Sequence, residues 1–205
     1  MAQSPLLRPT LPRLALIAVI SSLGAGAAAL VASASVPKEP PPVVQVDADS
    51  KGASGDIRAS VDIAAPPSTV WRVLVDCSQV PHLMVGAKSC KVLDHDPSGR
   101  WDVREQVSQG ALLPAIRTVL RSDYDAPRAV HFHRIDGDLK VLEGSWRLEP
   151  IDATRTRVSY DSRVQAPFGI PAFLARTVLR NDMPKTMNNL RNACETTQAR
   201  MAITR

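Results

Sequence analysis

Alternating apolar and polar side chains begin at Ile57 and predict the first strand of a folded domain. Ile57, Ala59, Val61 and Ile63 share one face of this segment, whereas the residues between them are polar, as in a half-buried strand. Further strand-like segments, separated by turn sequences rich in Pro, Gly and Asp, are predicted at 88–94, 101–109, 116–124, 129–136, 140–150 and 156–166. Seven strands joined mainly by short turns predict an antiparallel meander.

A short helix is predicted directly after the first strand. Pro66 and Pro67 end that strand, and Ser68 can cap a helix that carries Val70, Trp71, Leu74 and Val75 at helical spacing. Residues 77–84 are predicted to form a loop between this helix and the next strand.

The last helical region begins after Pro171. The Asn-Asp sequence shortly before Pro184 predicts a break and a new helix start, because Pro is tolerated in the first turn of a helix but not in its interior. Beyond the break, apolar residues repeat at intervals of four, three and four and form one stripe: Met183, Met187, Leu190 and Cys194. Such a stripe is either plain core or a wall that adapts to ligands of variable shape, a role that suits Met.

The N-terminus has the order of a secretory signal. Arg8 and Arg13 precede an apolar run over residues 14–31, and Ala32-Ser33-Ala34 fits a cleavage site. The alternative is an uncleaved membrane anchor, because this run is long enough to cross a bilayer. In both cases the domain is predicted to be periplasmic or otherwise exported. The predicted organisation is a signal peptide or anchor at 1–34, a Pro-rich flexible linker at 35–55 and a folded domain at 56–200.

Composition argues against a nucleic-acid partner. Loss of residues 1–35 removes Arg8 and Arg13 and no acid, which lowers the formal net charge from +5 to +3. Aromatic residues make up 4% of the chain, so the interleaved basic and aromatic surface of a nucleic-acid binder is missing. The remaining positive charge predicts at most transient contact with a membrane surface.

Three cysteines remain after the predicted signal peptide. Cys77 and Cys90 either form a disulfide, which an oxidising compartment favours, or stay as thiols. Cys194 is expected to be a buried thiol, because it lies on the apolar stripe. The histidines and cysteines do not follow zinc-ligand spacing, so neither a metal nor another cofactor is predicted.

Several motifs in a fixed order resemble the SRPBCC, or START-like, superfamily, in particular its polyketide cyclase/dehydrase and coenzyme Q-binding branch. They lie at 66–71, 80–84, 91–93, 144–150, 156–160 and 183–190. The resemblance covers residues 56–195. It implies an α+β helix-grip fold: a seven-stranded curved antiparallel sheet wrapped around a long C-terminal helix, with two short helices after strand 1. Such proteins hold lipids, quinones or polyketides between sheet and helix.

Strand parity and the apolar stripe then give candidate residues for the cavity. They are Leu83, Met84, Glu105, Ile116, Leu120, Phe132, Trp146, Tyr160, Phe173, Met183 and Met187. Glu105 lies between Val103 and Val107, so it is either a cavity polar group, for instance paired with Arg117, or an edge residue that reaches solvent. The gate is predicted at residues 80–86 and 168–173, and His131 and His133 are expected on the outer side of the sheet.

The leading functional hypothesis is an exported, non-enzymatic binder or carrier of a hydrophobic small molecule, such as a lipid or an isoprenoid quinone. The alternative is a polyketide-type cyclase or dehydratase that uses Glu105, Tyr160 or an inward Arg for proton transfer. A third possibility is an interaction module whose cavity is vestigial. No catalytic residue is assigned, because no nucleophile, base or metal pattern stands out.

Overall fold

Eight antiparallel strands form a single sheet in the computed structural model, which describes residues 39–49, 53–110, 114–167 and 170–204. The strands are β1 (Val43–Ala48), β2 (Ser54–Ile63), β3 (Ala87–His95), β4 (Trp101–Ser108), β5 (Ile116–Asp125), β6 (Ala129–Gly137), β7 (Val141–Pro150) and β8 (Thr156–Gln165). Their order across the sheet is β1-β2-β8-β7-β6-β5-β4-β3. Six of the seven predicted strands, β3 to β8, therefore form the predicted meander, whereas the first predicted strand, β2, pairs with β8 instead of β3.

Three helices lie on the side of the sheet that carries the core. Helix α1 (Pro67–Val75) follows β2, and a 3₁₀ turn (Cys77–Gln79) leads into the short helix α2 (Val80–Leu83). Helix α3 (Ala172–Ile203) packs against β1, β2, α1 and α2. This arrangement confirms the α+β helix-grip fold with two short helices after the first predicted strand. None of the described helices is both long and apolar enough to cross a bilayer.

The sheet has eight strands rather than the predicted seven, because β1 lies within the segment expected to be a linker. Val44 and Val46 alternate with polar residues and pack against the core, and Val46 is paired with Ile57 of β2. Burial of these valines and a complete ladder with β2 favour a strand despite the Pro-rich sequence that precedes it. The predicted signal peptide, and the remainder of the predicted linker at 35–38 and 50–52, lie outside the described residues.

The predicted helix break at Pro184 is wrong, because α3 runs through this residue without interruption. Pro184 removes only its own hydrogen bond to the Arg180 carbonyl, and Arg180 is exposed, so water can reach that turn. The following turns bury Met187, Leu190 and Cys194 in the core. Tertiary packing therefore holds this helix together across a residue with poor helix propensity.

The core lies between the inner face of β2, β8 and β7 and one side of α3. Ile63, Val158 and Met187 are fully buried there, and Met183 packs against them. Gly144 of β7 lets the neighbouring strand come close, because a Cβ at this position would meet the Asp161 carbonyl oxygen and lie 2.7 Å from the Ser162 Cβ. Strands β7 and β8 are therefore packed closely at this position.

Candidate ligand-binding cavity

A cavity opens between the inner face of the sheet and the helices α1, α2 and α3. Its volume is about 110 Å³, counted as the room open to the centre of a water molecule. The lining is predominantly apolar, as is usual for sites that take small molecules. The lining residues are Leu74, Val75, Val80, Leu83, Met84, Arg104, Gln106, Leu120, Ser122, Tyr124, Val130, Phe132, Leu142, Trp146, Tyr160, Thr186 and Leu190.

One wall of the cavity is aromatic. Phe132, Trp146 and Tyr160 come from the adjacent strands β6, β7 and β8, and Trp146 is the ladder partner of Tyr160. The Trp146 and Tyr160 ring centroids lie 4.4 Å apart, and the Phe132 and Tyr160 rings are stacked at 6.0 Å. Because these rings support each other, they offer a wall of fixed shape to an apolar guest.

The opposite part of the cavity holds a buried polar group, here called the Arg104 cluster, formed by Asp102, Arg104 and Tyr124. Arg104 Nε donates to Asp102 Oδ1 at 2.9 Å, and Nη2 donates to Asp102 Oδ2, to the Tyr124 hydroxyl at 2.5 Å and to the Val75 carbonyl at 3.1 Å. The Tyr124 hydroxyl donates in turn to Asp102 Oδ2 at 2.7 Å. The guanidinium is thus fixed in the wall by β4, β5 and the end of α1.

The ionisable groups of the cavity wall keep their protons at neutral pH. Burial raises the pKa of Tyr124, with a further contribution from Asp102, and burial raises the pKa of Tyr160 to about 12, although Ser162 offsets part of this rise. Burial alone would lower the pKa of Arg104, but its bonds to Asp102 and Tyr124 leave that pKa above its usual value. Both phenols therefore stay neutral and Arg104 stays charged.

The structure brings six of the predicted cavity residues together at the lining. These are Leu83, Met84, Leu120, Phe132, Trp146 and Tyr160. Met183 and Met187 pack in the neighbouring core instead. Ile116 begins β5 and is not a lining residue, and Phe173 is 63% exposed near the start of α3. Residues 168 and 169 of the predicted gate lie outside the described part of the chain.

Glu105 does not enter the cavity, so the interpretation of Glu105 as a cavity polar group is wrong. Its carboxylate accepts a hydrogen bond from Arg117 Nε at 2.6 Å, and Arg117 also donates to Asp136 at 2.9 Å on the outer side of the sheet. The valines of β4 predicted that their side of the strand faces the cavity, and the structure shows that the other side does. The inward residues of β4 are the polar ones, and Val103 and Val107 lie on the outer side with Glu105.

The reversed facing of β4 explains why the sequence interpretation missed the polar residues of the site. Asp102, Arg104 and Gln106 lie on the face opposite to the two valines of β4, and an inward face that carries the valines was the simpler assumption. One signal was present, because opposite charges two residues apart in a strand lie on the same face and can pair. The adjacent strand β5 carries the second signal, since Tyr124 shares the face of Leu120.

Cys77 and Cys90 form a disulfide beside the cavity, with their Cα atoms 5.4 Å apart. Cys77 lies between the lining residues Val75 and Val80, and Cys90 of β3 is the ladder partner of Gln106. The bond therefore ties the turn at the cavity rim to an edge strand.

The remaining cysteine and the histidines agree with the sequence interpretation. Cys194 is a buried free thiol whose pKa burial raises to about 12. His131 and His133 are exposed on the outer side of β6. Within the described ranges, no group of three or more His, Cys, Asp or Glu residues is placed to hold a metal ion.

Comparison with known proteins places this geometry in a wider group. A family model described as polyketide cyclase / dehydrase and lipid transport matches residues 63–191. A search of the curated proteins found no match.

Solved structures share the fold at low sequence identity. The STAR-related lipid transfer protein from Xanthomonas axonopodis is 18% identical with a TM-score of 0.64, over 78% of this chain and 96% of that one. The Zhui aromatase/cyclase from Streptomyces sp. R1128 is 18% identical with a TM-score of 0.59, over 73% and 96%. A START superfamily protein from Mycobacterium smegmatis is 17% identical with a TM-score of 0.58, over 71% and 98%.

Proposed function

Because this chain belongs to the polyketide cyclase/dehydrase and lipid transport family, we propose that it is a non-enzymatic binder or carrier of a hydrophobic small molecule, such as a lipid or an isoprenoid quinone. Both activities in the family's description need a cavity for a hydrophobic guest. The apolar lining and the aromatic wall support this role. Apolar area removed from water would supply affinity at roughly 25 cal/mol per Å², before ordering and association costs are subtracted.

The observation that favours a binder over an enzyme is the protonation state of the cavity wall. Among the described lining residues there is no His, Asp, Glu, Lys or Cys. The ionisable ones are Arg104, Tyr124 and Tyr160, and their pKa values are all raised. General acid–base catalysis works best with a pKa near the working pH, and these groups are far from it.

We propose that the ligand enters past the connection between α2 and β3. Met84 and Val85 are each 38% exposed there, and Met84 also lines the cavity. The connection is held to α3 by few polar contacts: Asn189 Nδ2 donates to the Leu83 carbonyl at 3.2 Å, and the Val85 amide donates to Thr186 Oγ1 at 3.4 Å. Long hydrogen bonds beside an apolar rim suit a segment that opens for a guest.

Export of the protein is part of the proposal. The signal-like sequence at residues 1–34 supports it, and so does the Cys77–Cys90 disulfide, because such bonds persist mainly in oxidising compartments. A carrier outside the cytoplasm would exchange its ligand with a membrane surface, for which the exposed side chains of Met84 and Val85 are suited.

A cyclase or dehydratase remains the second candidate function, and the Arg104 cluster is the observation that favours it. A fixed guanidinium beside a phenol could stabilise negative charge that develops on a carbonyl oxygen. Glu105 cannot serve as the base of such a reaction, because it lies on the outer side of the sheet with Arg117. A reaction would therefore depend on Arg104, Tyr124 and Tyr160 alone.

Native mass spectrometry of protein purified from its own host, followed by organic extraction, tests the proposal directly. A co-purifying lipid or quinone would support a carrier, whereas a protein that remains empty and takes up no hydrophobic probe would contradict it. Turnover of a poly-β-ketone by the purified protein, abolished in R104K, would favour the second candidate instead.

The gate is tested by lipid extraction from vesicles. The L83A/M84A variant should extract lipid more slowly than the wild type, because it loses the apolar rim of the cavity. I203A is the matched control, since Ile203 is an exposed apolar residue at the far end of α3. Equal extraction rates in L83A/M84A and the wild type would place the entrance elsewhere.

A further inference from the structure

The cavity wall contains one charged lining side chain among the described residues, and that charge is already neutralised. Arg104 is 5% exposed and is bonded to both carboxylate oxygens of Asp102, which is itself buried. The pair contributes no net charge. Arg134, on the same face of β6 as Phe132, is not a lining residue and donates to the Gly137 carbonyl at 2.7 Å.

Hydrogen-bond donors nevertheless remain available to a guest beside this neutral pair. Gln106 follows Arg104 on the inward face of β4, and its side-chain amide makes no hydrogen bond to any described residue. The Nη1 group of Arg104 likewise has no bonded partner in the described part of the chain. Guanidinium groups only donate, and an amide nitrogen offers two donors. Arg104 and Gln106 are two residues apart on one face of β4 and both line the cavity, so both bring N–H donors to its wall.

We infer that the ligand is an electrically neutral apolar molecule with a carbonyl or ether oxygen, which accepts hydrogen bonds from Gln106 and Arg104 while its apolar part packs on the aromatic wall. This inference rests on the proposed binding function and specifies its ligand class. Neutral ketones, esters and quinones belong to this class. Ionised fatty acids and phosphate-bearing lipids with a buried headgroup do not.

Electrostatics gives the reason for this selectivity. A carboxylate taken into the cavity would lose its hydration, and Asp102 would repel it because it already neutralises the positive charge of Arg104. A cationic guest would meet Arg104 and find no described lining carboxylate. A neutral oxygen has a much smaller desolvation cost, and an otherwise unpaired donor gains a partner when it binds.

Three probes of equal chain length separate these cases: decane, decan-2-one and decanoate. Each competes with the neutral dye Nile red for wild-type protein at about pH 7.5, where the acid is ionised. We expect decan-2-one to bind roughly 3–10-fold more tightly than decane, as one or two hydrogen bonds predict. Decanoate should bind more weakly than the ketone.

Substitutions identify the residues responsible. Q106L should lower the preference for the ketone over decane, because only the Arg104 donor remains, whereas Q165L, the same change at an exposed position of β8, should retain the full preference. D102N leaves Arg104 uncompensated and should improve decanoate binding roughly tenfold. D123N is its control, because Asp123 lies outside the lining residues and contacts Arg121 instead.

The outcomes distinguish this inference from the proposed function. Equal binding of all three probes, or tighter binding of decanoate than of the ketone, would overturn the neutral-acceptor inference and leave a hydrophobic binder. An unchanged ketone preference in folded Q106L would also overturn it. Failure of all three probes to displace the dye would count against the binding function itself, and the inference would fall with it.

Discussion

Removal of the Cys77–Cys90 disulfide is a perturbation whose effect on stability can be worked out from the structure. The bond joins the turn before α2 to the edge strand β3 across 13 residues of sequence. A cross-link that closes a loop of this size removes about 3 kcal/mol of chain entropy from the unfolded state. We therefore expect C77S/C90S to lose about 3 kcal/mol of unfolding free energy and about 6–12 °C in melting temperature.

Urea unfolding followed by tryptophan fluorescence measures this loss. A thiol reductant should lower the stability of the wild type to that of C77S/C90S and leave the double variant unchanged. C194S is the matched control, because Cys194 is a free cysteine, so this variant should keep its sensitivity to the reductant. The reasoning is refuted if C77S/C90S unfolds within about 1 kcal/mol of the oxidised wild type, or if the reductant destabilises both proteins equally.

Three further predictions concern the strands and helix that surround the cavity. The pKa of Tyr160 is about 12 in the folded protein, above its ordinary value of 10.0, so the unfolded chain releases this proton first and stability falls between these pH values. The slope is at most about 1.4 kcal/mol per pH unit, and urea titrations should show a smaller loss for Y160F; equal losses would contradict this. G144A forces β7 away from the Asp161 carbonyl oxygen and should cost about 1–3 kcal/mol in urea unfolding, whereas an unchanged midpoint would refute the close strand approach. L190A removes most of a side chain that is 1% exposed and lines the cavity. It should lower the free energy of unfolding by about 2–5 kcal/mol and allow bulkier dyes to bind in competition assays. Unchanged dye selectivity would place Leu190 outside the binding space.

Local sequence pattern was sufficient to predict the strands from β2 to β8. Alternation and turn residues are local signals, and the predicted segment at 129–136, for example, is β6 (Ala129–Gly137). The same signals failed at β1, where three consecutive prolines precede a short alternation. Its strand character depends on a partner, β2, and on burial of Val44 and Val46, and neither is visible in a local window.

The cavity could be predicted in its apolar half but not in its polar half. Phe132, Trp146 and Tyr160 lie on strands whose inward face is clear, because the residues directly before and after each of them are polar. Strand β4 has polar residues on its inward side, so its facing is decided by its pairing with β5 and by the ion pair of Asp102 with Arg104. The pairing with β5 is non-local information, so hydrophobicity along β4 alone predicts the wrong face as the inward one.

Strand β1 has a practical consequence for shortened versions of this protein. The family match begins at residue 63, the last residue of β2, and the alternation in the sequence begins near Ile57 within β2, so either boundary invites a truncation that removes β1. A chain that starts near Ile57 would keep most of β2 but lose the strand that covers its outer edge, and a chain that starts at residue 63 would lose β2 as well and uncover β8. Unpaired backbone groups on a long apolar edge recruit strands from other molecules, so insolubility of a truncated chain would reflect a missing neighbour and not a defect of the ligand site.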